Sequence, residues 1–367
     1  MIGLLEIRRR KVQFALIAVV VTLIAYLVLM INGLGVGLNQ LAGSALLNFN
    51  ADAIAYSDSA DLSVIRSEMG QETVDRIQAA SGVKESAPIG YVAANVRKQS
   101  GAIESAAFIG FDPGGIGEPK IIDGRKLTSD DTRGVLADKS FLKATGLKIG
   151  DEVDVNIRLA TEKFSIVGEI DEGAFFFQPA VYVLRDTWRE LKYGPKAEDA
   201  PVASIVLLKG PGLTSLKGEG FRAVSKQTAF ANIEGVAGQQ STVTALRWFG
   251  YLIGALVIGV FFYVLTLQKI SQFGVLKALG ASGFFLFRQV LIQALAIILI
   301  GVAIAVPLAW ATGNALARLP ETVPIAFEGR TYVVTAITLV GTGVIGALFS
   351  GRQIAQVDPI IALGQQQ

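Results

Sequence analysis

Four long stretches of this chain carry no charged residue, and each is long enough to cross a lipid bilayer. Between Lys11 and Asp52 lie 40 uncharged residues, with an apolar core over Val12–Ile31. Trp248–Gln268 (21 residues), Gln289–Ala317 (29) and Thr331–Gly351 (21) follow, each bounded by basic residues. A crossing helix needs about 20 predominantly apolar residues. One such run can be hidden as a buried helix in a soluble protein; four cannot share one soluble core. Hydrophobic residues make up 51% of the chain and charged residues 17%, a balance too apolar for a soluble domain. The first run follows the basic cluster Arg8–Lys11 and precedes "LAGSA", as a secretory signal would. The apolar region of a signal spans roughly 7–15 residues, so this longer run reads as a retained span.

The flanking charges orient the spans, because basic residues collect on the cytoplasmic side. Arg8, Arg9, Arg10 and Lys11 precede the first span, Lys269, Lys277 and Arg288 lie between the second and third, and Arg352 follows the fourth. Both termini and the 269–288 loop are expected in the cytoplasm of a plasma-membrane protein. The long segment after the first span is expected outside. Counted through Arg247, that segment has 23 basic and 27 acidic residues, so it is mildly acidic and unsuited to nucleic acid. Short β-like runs (Tyr91–Val96, Ala106–Phe111, Phe164–Ile170, Ala180–Leu184) mix there with helical stretches such as Glu72–Ala80. The predicted fold class is a membrane protein of four transmembrane α-helices with one large α+β extracytoplasmic domain between helices 1 and 2. The expected divisions are a cytoplasmic amphipathic N-terminus (1–11), spans at 12–36, 247–268, 283–317 and 331–351, the outside domain (37–246), a cytoplasmic helix (269–282), an outside loop (318–330) and a cytoplasmic tail (352–367).

Several chemistries are excluded. The chain has no cysteine and no histidine, which removes disulfides, thiolate and imidazole metal sites, and a Ser-His-Asp hydrolase. No G-x-x-x-x-G-K-[ST] loop occurs, so the chain has no phosphate cradle for ATP and is not expected to be an enzyme by itself. The four runs contain no Asp, Glu, Lys or Arg, whereas ion-coupled carriers bury ionisable groups in the membrane. "DEGAFFFQ" (Asp171–Gln178) sets two acids before three aromatics, and reads as a surface turn before a strand or a hydrophobic patch.

One cytoplasmic stretch stands out: "YVLTLQKISQFGVLKALGAS" (Tyr263–Ser282). Ile270, Phe273, Leu276 and Leu279 are spaced three apart, which suggests an apolar stripe on a short helix, and Gly280 can end that helix. Such a helix either lies on the inner leaflet or docks in a groove of a cytoplasmic protein.

"FGVLKALGAS" (Phe273–Ser282) entering a span, and "RQIAQVDPIIALG" (Arg352–Gly364), resemble the FtsX-like permease domain of MacB-type ABC transporters. "GDEVDVNIRLATEKFSIVGEI" (Gly150–Ile170) is similar to strand pairs of that family's outside domain. Within the family, Leu23–Gln40 and Tyr263–Gly280 look like the permeases of Hrt-type haem exporters. The resemblance implies a homodimer working with two copies of a separate ABC ATPase, which would bind ATP and Mg. It makes Lys269, Phe273, Leu276, Lys277, Leu279 and Gly280 the ATPase-coupling residues. It implies no permanently bound cofactor, and haem as the transported ligand, entering from membrane lipid. Without histidine, haem iron can be held by Tyr, Met or a carboxylate. The candidates are Tyr26, Met30 and Asn32 on the first span, and Glu234, Arg247, Trp248 and Tyr251 around the start of the second. "NGLGVG" (Asn32–Gly37) would permit close helix approach. The alternative readings are an FtsX-like signalling protein that activates a cell-wall hydrolase, and an exporter of a lipid or antimicrobial peptide.

Overall fold

The computed structural model describes residues 11–195, 199–316 and 323–356, with 349–356 described by their backbone alone. The expected N-terminal anchor over 1–10, the start of the 318–330 loop and the Asp-Pro portion of the tail lie outside the described residues. The chain forms two compact units: 38–239, and the remainder with both termini.

Helix α1 covers Lys11–Asn48, with its helical backbone interrupted at Gly43. It outruns the expected span because only its first part needs hydrocarbon around it. The domain unit continues with β1 (Ala53–Ser57), α2 (Gln71–Gln78), β2 (Glu85–Arg97), β3 (Ile103–Phe111), β4 (Ile121–Gly124), β5 (Gly134–Asp138) and α3 (Lys139–Thr145). Next come β6 (Glu152–Ile157), β7 (Ala160–Ile170), β8 (Ala174–Phe175), β9 (Gln178–Leu184) and α4 (Arg185–Tyr193). Strands β10 (Ile205–Lys209), β11 (Lys217–Gly218) and β12 (Phe221–Ser225), with helix α5 (Lys226–Ala231), complete it. The main path of the sheet is β11-β12-β1-β10-β2-β3-β9-β5-β7-β4, with β6 joined to β2 and β7, and β8 to β9. Most pairs are antiparallel, while β3–β9 and β5–β7 are parallel. The runs expected as strands fall within β2, β3, β7 and β9.

Sequence explains the local packing. Gly90 and Gly110 face each other in the β2–β3 register. A Cβ at Gly90 would fall inside the Trp188 indole, and one at Gly110 would lie 2.5 Å from the Trp188 Cβ. The two bare residues make the notch that takes this fully buried ring. The "FFF" run forms a β8–β9 turn with Phe176 and Phe177 both at positive φ (53° and 60°). Their N–H groups donate to Ala42 (2.9 Å) and Leu41 (2.8 Å) carbonyls beside the break at Gly43. Those bonds hold a conformation that non-glycine residues adopt at a cost of order 1–3 kcal/mol. The run is the expected turn before a strand, but Phe175 and Phe176 are buried against Tyr91 and only Phe177 stays exposed.

The second unit contains the first part of α1, α6 (Val236–Leu267), α7 (Ile270–Ala278), α8 (Gly283–Leu316) and α9 (Gly329–Gln356). Four of these helices are long and apolar enough to cross a membrane. Their inner faces meet through Val21, Val28, Phe262, Ile297 and Ile298. Their outer faces expose Leu16, Leu23, Leu256, Ile304 and Ile337. Such broad apolar exposure suits lipid and not water. Small residues permit the crossings: a Cβ at Gly250 or Gly254 would sit 3.0 Å from Val28 or 3.1 Å from Ile24. Helix α8 runs continuously through Pro307.

Candidate functional site

The polar residues of the membrane unit tie its helices together. Tyr26 on α1 donates through its hydroxyl to Thr312 Oγ1 on α8 at 3.2 Å. Asn32, also on α1, donates to Thr335 Oγ1 on α9 at 3.1 Å and to the Tyr251 hydroxyl oxygen on α6 at 3.5 Å. Asn32 is buried, and in apolar surroundings such an amide needs partners. Met30 packs against the bundle core. The structure therefore turns Tyr26, Met30 and Asn32 inward.

Arg247, Trp248 and Tyr251 occupy one turn of α6 and differ in character. Arg247 is half-buried beside Gly35, where a Cβ would lie 2.5 Å from Nη2. Its Nε has no hydrogen-bond partner among the described residues. Trp248 is 70% exposed and meets the Tyr251 ring edge-on, with centroids 6.5 Å apart. Glu234 belongs to the other unit. Its exposed carboxylate accepts a hydrogen bond from Ser63 Oγ. Burial, reinforced by that carboxylate, pushes the Tyr91 phenol up to about 12 and Tyr56 higher still. Both phenols stay protonated at neutral pH, so neither offers iron a phenolate.

The glycines of "NGLGVG" act inside the chain. A Cβ at Gly33 would meet the Phe327 ring at 2.5 Å, and one at Gly37 would collide with the Pro324 carbonyl. They give the 323–328 segment room beside α1. Sequence reasoning passed over Gly250 and Gly254, although their four-residue spacing is a legible signal of helix crossing.

The short helix α7 differs from the expected stripe. Phe273 is only 7% exposed and packs into the bundle. Lys269 is 4% exposed, and its Nζ donates to Gln293 Oε1 on α8 at 3.2 Å. Leu276 packs on the bundle as well, whereas Leu279 is 79% exposed, with Val275 and Phe284 also exposed. The reason is geometric. At roughly 100° per residue, nine residues turn the helix by about 180° from its starting face, so Ile270 and Leu279 point opposite ways. Phe273 and Lys269 are thus used inside the molecule, and the exposed apolar contact falls to Val275, Leu279 and Phe284. Lys277 is half-buried. Gly280 adopts φ 94° and closes the helix, and Ala281 N–H returns to the Leu276 carbonyl at 2.9 Å. No group of three or more acidic side chains able to hold a metal ion occurs among the described residues.

These helices and the domain between them define a class, that of chains with four helices long and apolar enough to cross a membrane and a large inserted α+β domain. Residues 245–359 match the family described as FtsX-like permease C-terminal. That match takes in most of α6 and all of α7, α8 and α9, so this part of the chain is similar to an FtsX-like permease domain. It is similar to a putative hemin transport system permease protein HrtB of Staphylococcus haemolyticus, with 24% identity over 360 residues, 98% of this chain and 97% of that protein. It is also similar to an uncharacterised ABC transporter permease of Mycobacterium bovis, with 23% identity over 99% of this chain and 98% of that one. Among solved structures it is similar to the extracellular domain of the noncanonic ABC-type transporter YknZ from Gram-positive bacteria. That likeness covers 48% of this chain and 100% of the other, at 14% identity and TM-score 0.34.

Proposed function

We propose that this chain is the permease subunit of an efflux pump that exports haem from the membrane, driven by ATP hydrolysed on a separate subunit. The observation that carries this reading is the alignment, over almost the whole chain, with a relative named for hemin transport. The absence of a phosphate-binding loop supports a separate ATPase. In this reading two copies of the chain work with two ATPase subunits in the plasma membrane. Both termini and the 269–282 segment are cytoplasmic, and 37–246 is outside. Val275, Leu279 and Phe284 provide apolar contact to the ATPase, and Lys277 a charged margin.

The α6 turn offers what haem needs from a histidine-free site. Trp248 presents an exposed indole face for stacking on the porphyrin. Arg247 can pair with a propionate through charge-assisted hydrogen bonds. The Tyr251 oxygen is the nearest iron ligand of a type that haem proteins use. The test is a haem titration of the purified chain in detergent, followed at the Soret band. Saturable binding is expected, weakened in Trp248→Ala and Arg247→Gln, with the band shifted in Tyr251→Phe. Saturable binding untouched by all three substitutions would move the cargo contacts elsewhere. No saturable band would make the cargo something other than haem. Recovery of a cell-wall hydrolase on the outside domain would then favour the signalling reading.

A further inference from the structure

The domain unit contains a polar cavity that the transport reading does not use. Its volume is about 450 Å³, within the range of roughly 300–1,000 Å³ typical of small-molecule sites. Asn48, Ile116, Glu118, Lys126, Glu172 and Tyr182 are among its lining residues, and all belong to this one unit.

Two observations mark it as more than a surface dent. The first is Tyr182. Its side chain is 1% exposed, its ring packs edge-on against Phe111, and it lines the cavity. Its hydroxyl is buried yet has no hydrogen-bond partner among the described residues. A buried hydroxyl without a partner is costly. The second is Glu172. One of its oxygens accepts the Lys120 N–H at 3.0 Å. No cation forms an ion pair with it among the described residues, in contrast to Glu118, whose carboxylate holds Lys126 Nζ at 2.9 Å. Burial, with the nearby Asp138 and Asp171, pushes the Glu172 carboxyl up against the opposing pull of the Lys120 N–H and charge. Asp138 is itself occupied, holding the N–H groups of Ser140 (2.8 Å) and Gly173 (2.7 Å). Lys139 is bound to Asp171 at 3.0 Å. Lys120 and Lys126 also line the cavity, but Glu172 is a half-desolvated carboxylate without an ion pair among the described residues, and Tyr182 adds a hydroxyl oxygen that can accept a hydrogen bond.

We propose that this cavity binds a small organic cation through a primary ammonium group, held by the Glu172 carboxylate and the Tyr182 hydroxyl. An ammonium has only donors to satisfy, and these two groups supply acceptors at the buried end. The tether runs past Ile116 toward Asn48 and the Glu118–Lys126 pair. Fully hydrated metal ions are less suited, because the described residues offer no group of acids dense enough to ligate one.

The experiment is calorimetric titration of the full-length protein in detergent with cadaverine, which carries an ammonium on a tether like that of a lysine side chain. The neutral control is 1,5-pentanediol. Cadaverine is expected to bind saturably and the diol not to bind. Glu172→Gln should weaken cadaverine by about tenfold or more and Tyr182→Phe by about fivefold, as expected for charged and neutral hydrogen bonds. Tyr182→Phe removes only an unpartnered oxygen, so its melting temperature should not fall, which separates lost binding from lost folding. No saturable heat with cadaverine, equal binding of the diol, or indifference to both substitutions would each overturn the proposal and leave a cavity holding water alone.

Discussion

At the scale of single residues, the outside domain depends on where side chains are absent. The Gly90–Gly110 pair accepts Trp188, and no larger residue fits there without moving the indole. Gly90→Ala should cost about 3 kcal/mol, the upper end of what overpacking a filled core costs. For a domain of this size that is a fall in melting temperature of about 6–12 °C, readable by circular dichroism. The reverse change is available at the β6–β7 turn, where Arg158 and Leu159 adopt φ of 48° and 62°. Two-residue hairpins with positive φ at both positions favour glycine and asparagine. Leu159 is fully exposed and gives no packing in return. Leu159→Gly should raise the domain's stability by about 0.5–1 kcal/mol, since relieved strain exceeds the entropy cost of glycine. A melting temperature that falls would refute this. Neither feature is legible in the sequence: a glycine in a strand does not say which ring it receives, and "IRLA" has no residue that announces a tight turn.

At the scale of elements, legibility followed the strength of the periodic signal. The four apolar runs and the strands β2, β3, β7 and β9 could be read because hydrophobicity persists or alternates over many residues. Helix α7 could be located but not oriented, because residues three apart drift around a helix and the eye joins them into a stripe. The family resemblance implies a partner contact for Phe273 and Lys269, yet both are buried in the bundle. The "FFF" turn is legible as a turn before a strand, but the burial of Phe175 and Phe176 is not. Its role depends on the carbonyls of Leu41 and Ala42, more than a hundred residues earlier. If Leu279 is the apolar contact to an ATPase, Leu279→Asp should leave the permease folded and in the membrane. It should lower ATPase co-purification or cargo-stimulated hydrolysis by about tenfold, the usual effect of losing a central interface anchor. Phe273→Ala should instead lower thermal stability. Equal behaviour of the two variants would remove the distinction between docking and packing residues.

At the scale of the whole molecule, one chain joins a soluble α+β fold to a bundle whose outer surface is apolar. The plan was legible because the two solvents demand opposite compositions. The candidate site was legible only in its residue types. Tyr26, Asn32 and Tyr251 carry the right chemistry for a cargo, but all three of their polar groups are bonded between helices, and only the fold reveals that. Arg247 Nε has no hydrogen-bond partner among the described residues and Trp248 is exposed, which is why the cargo proposal rests on that turn. The central claim is that haem on this permease drives work by an ATPase the chain lacks. The most direct measurement is the ATP hydrolysis rate of the permease reconstituted in lipid nanodiscs with its ATPase subunit, with and without haem. A rate that rises saturably with haem, and rises less in Trp248→Ala, is the predicted result. A rate indifferent to haem, at concentrations that saturate the Soret signal, would contradict it.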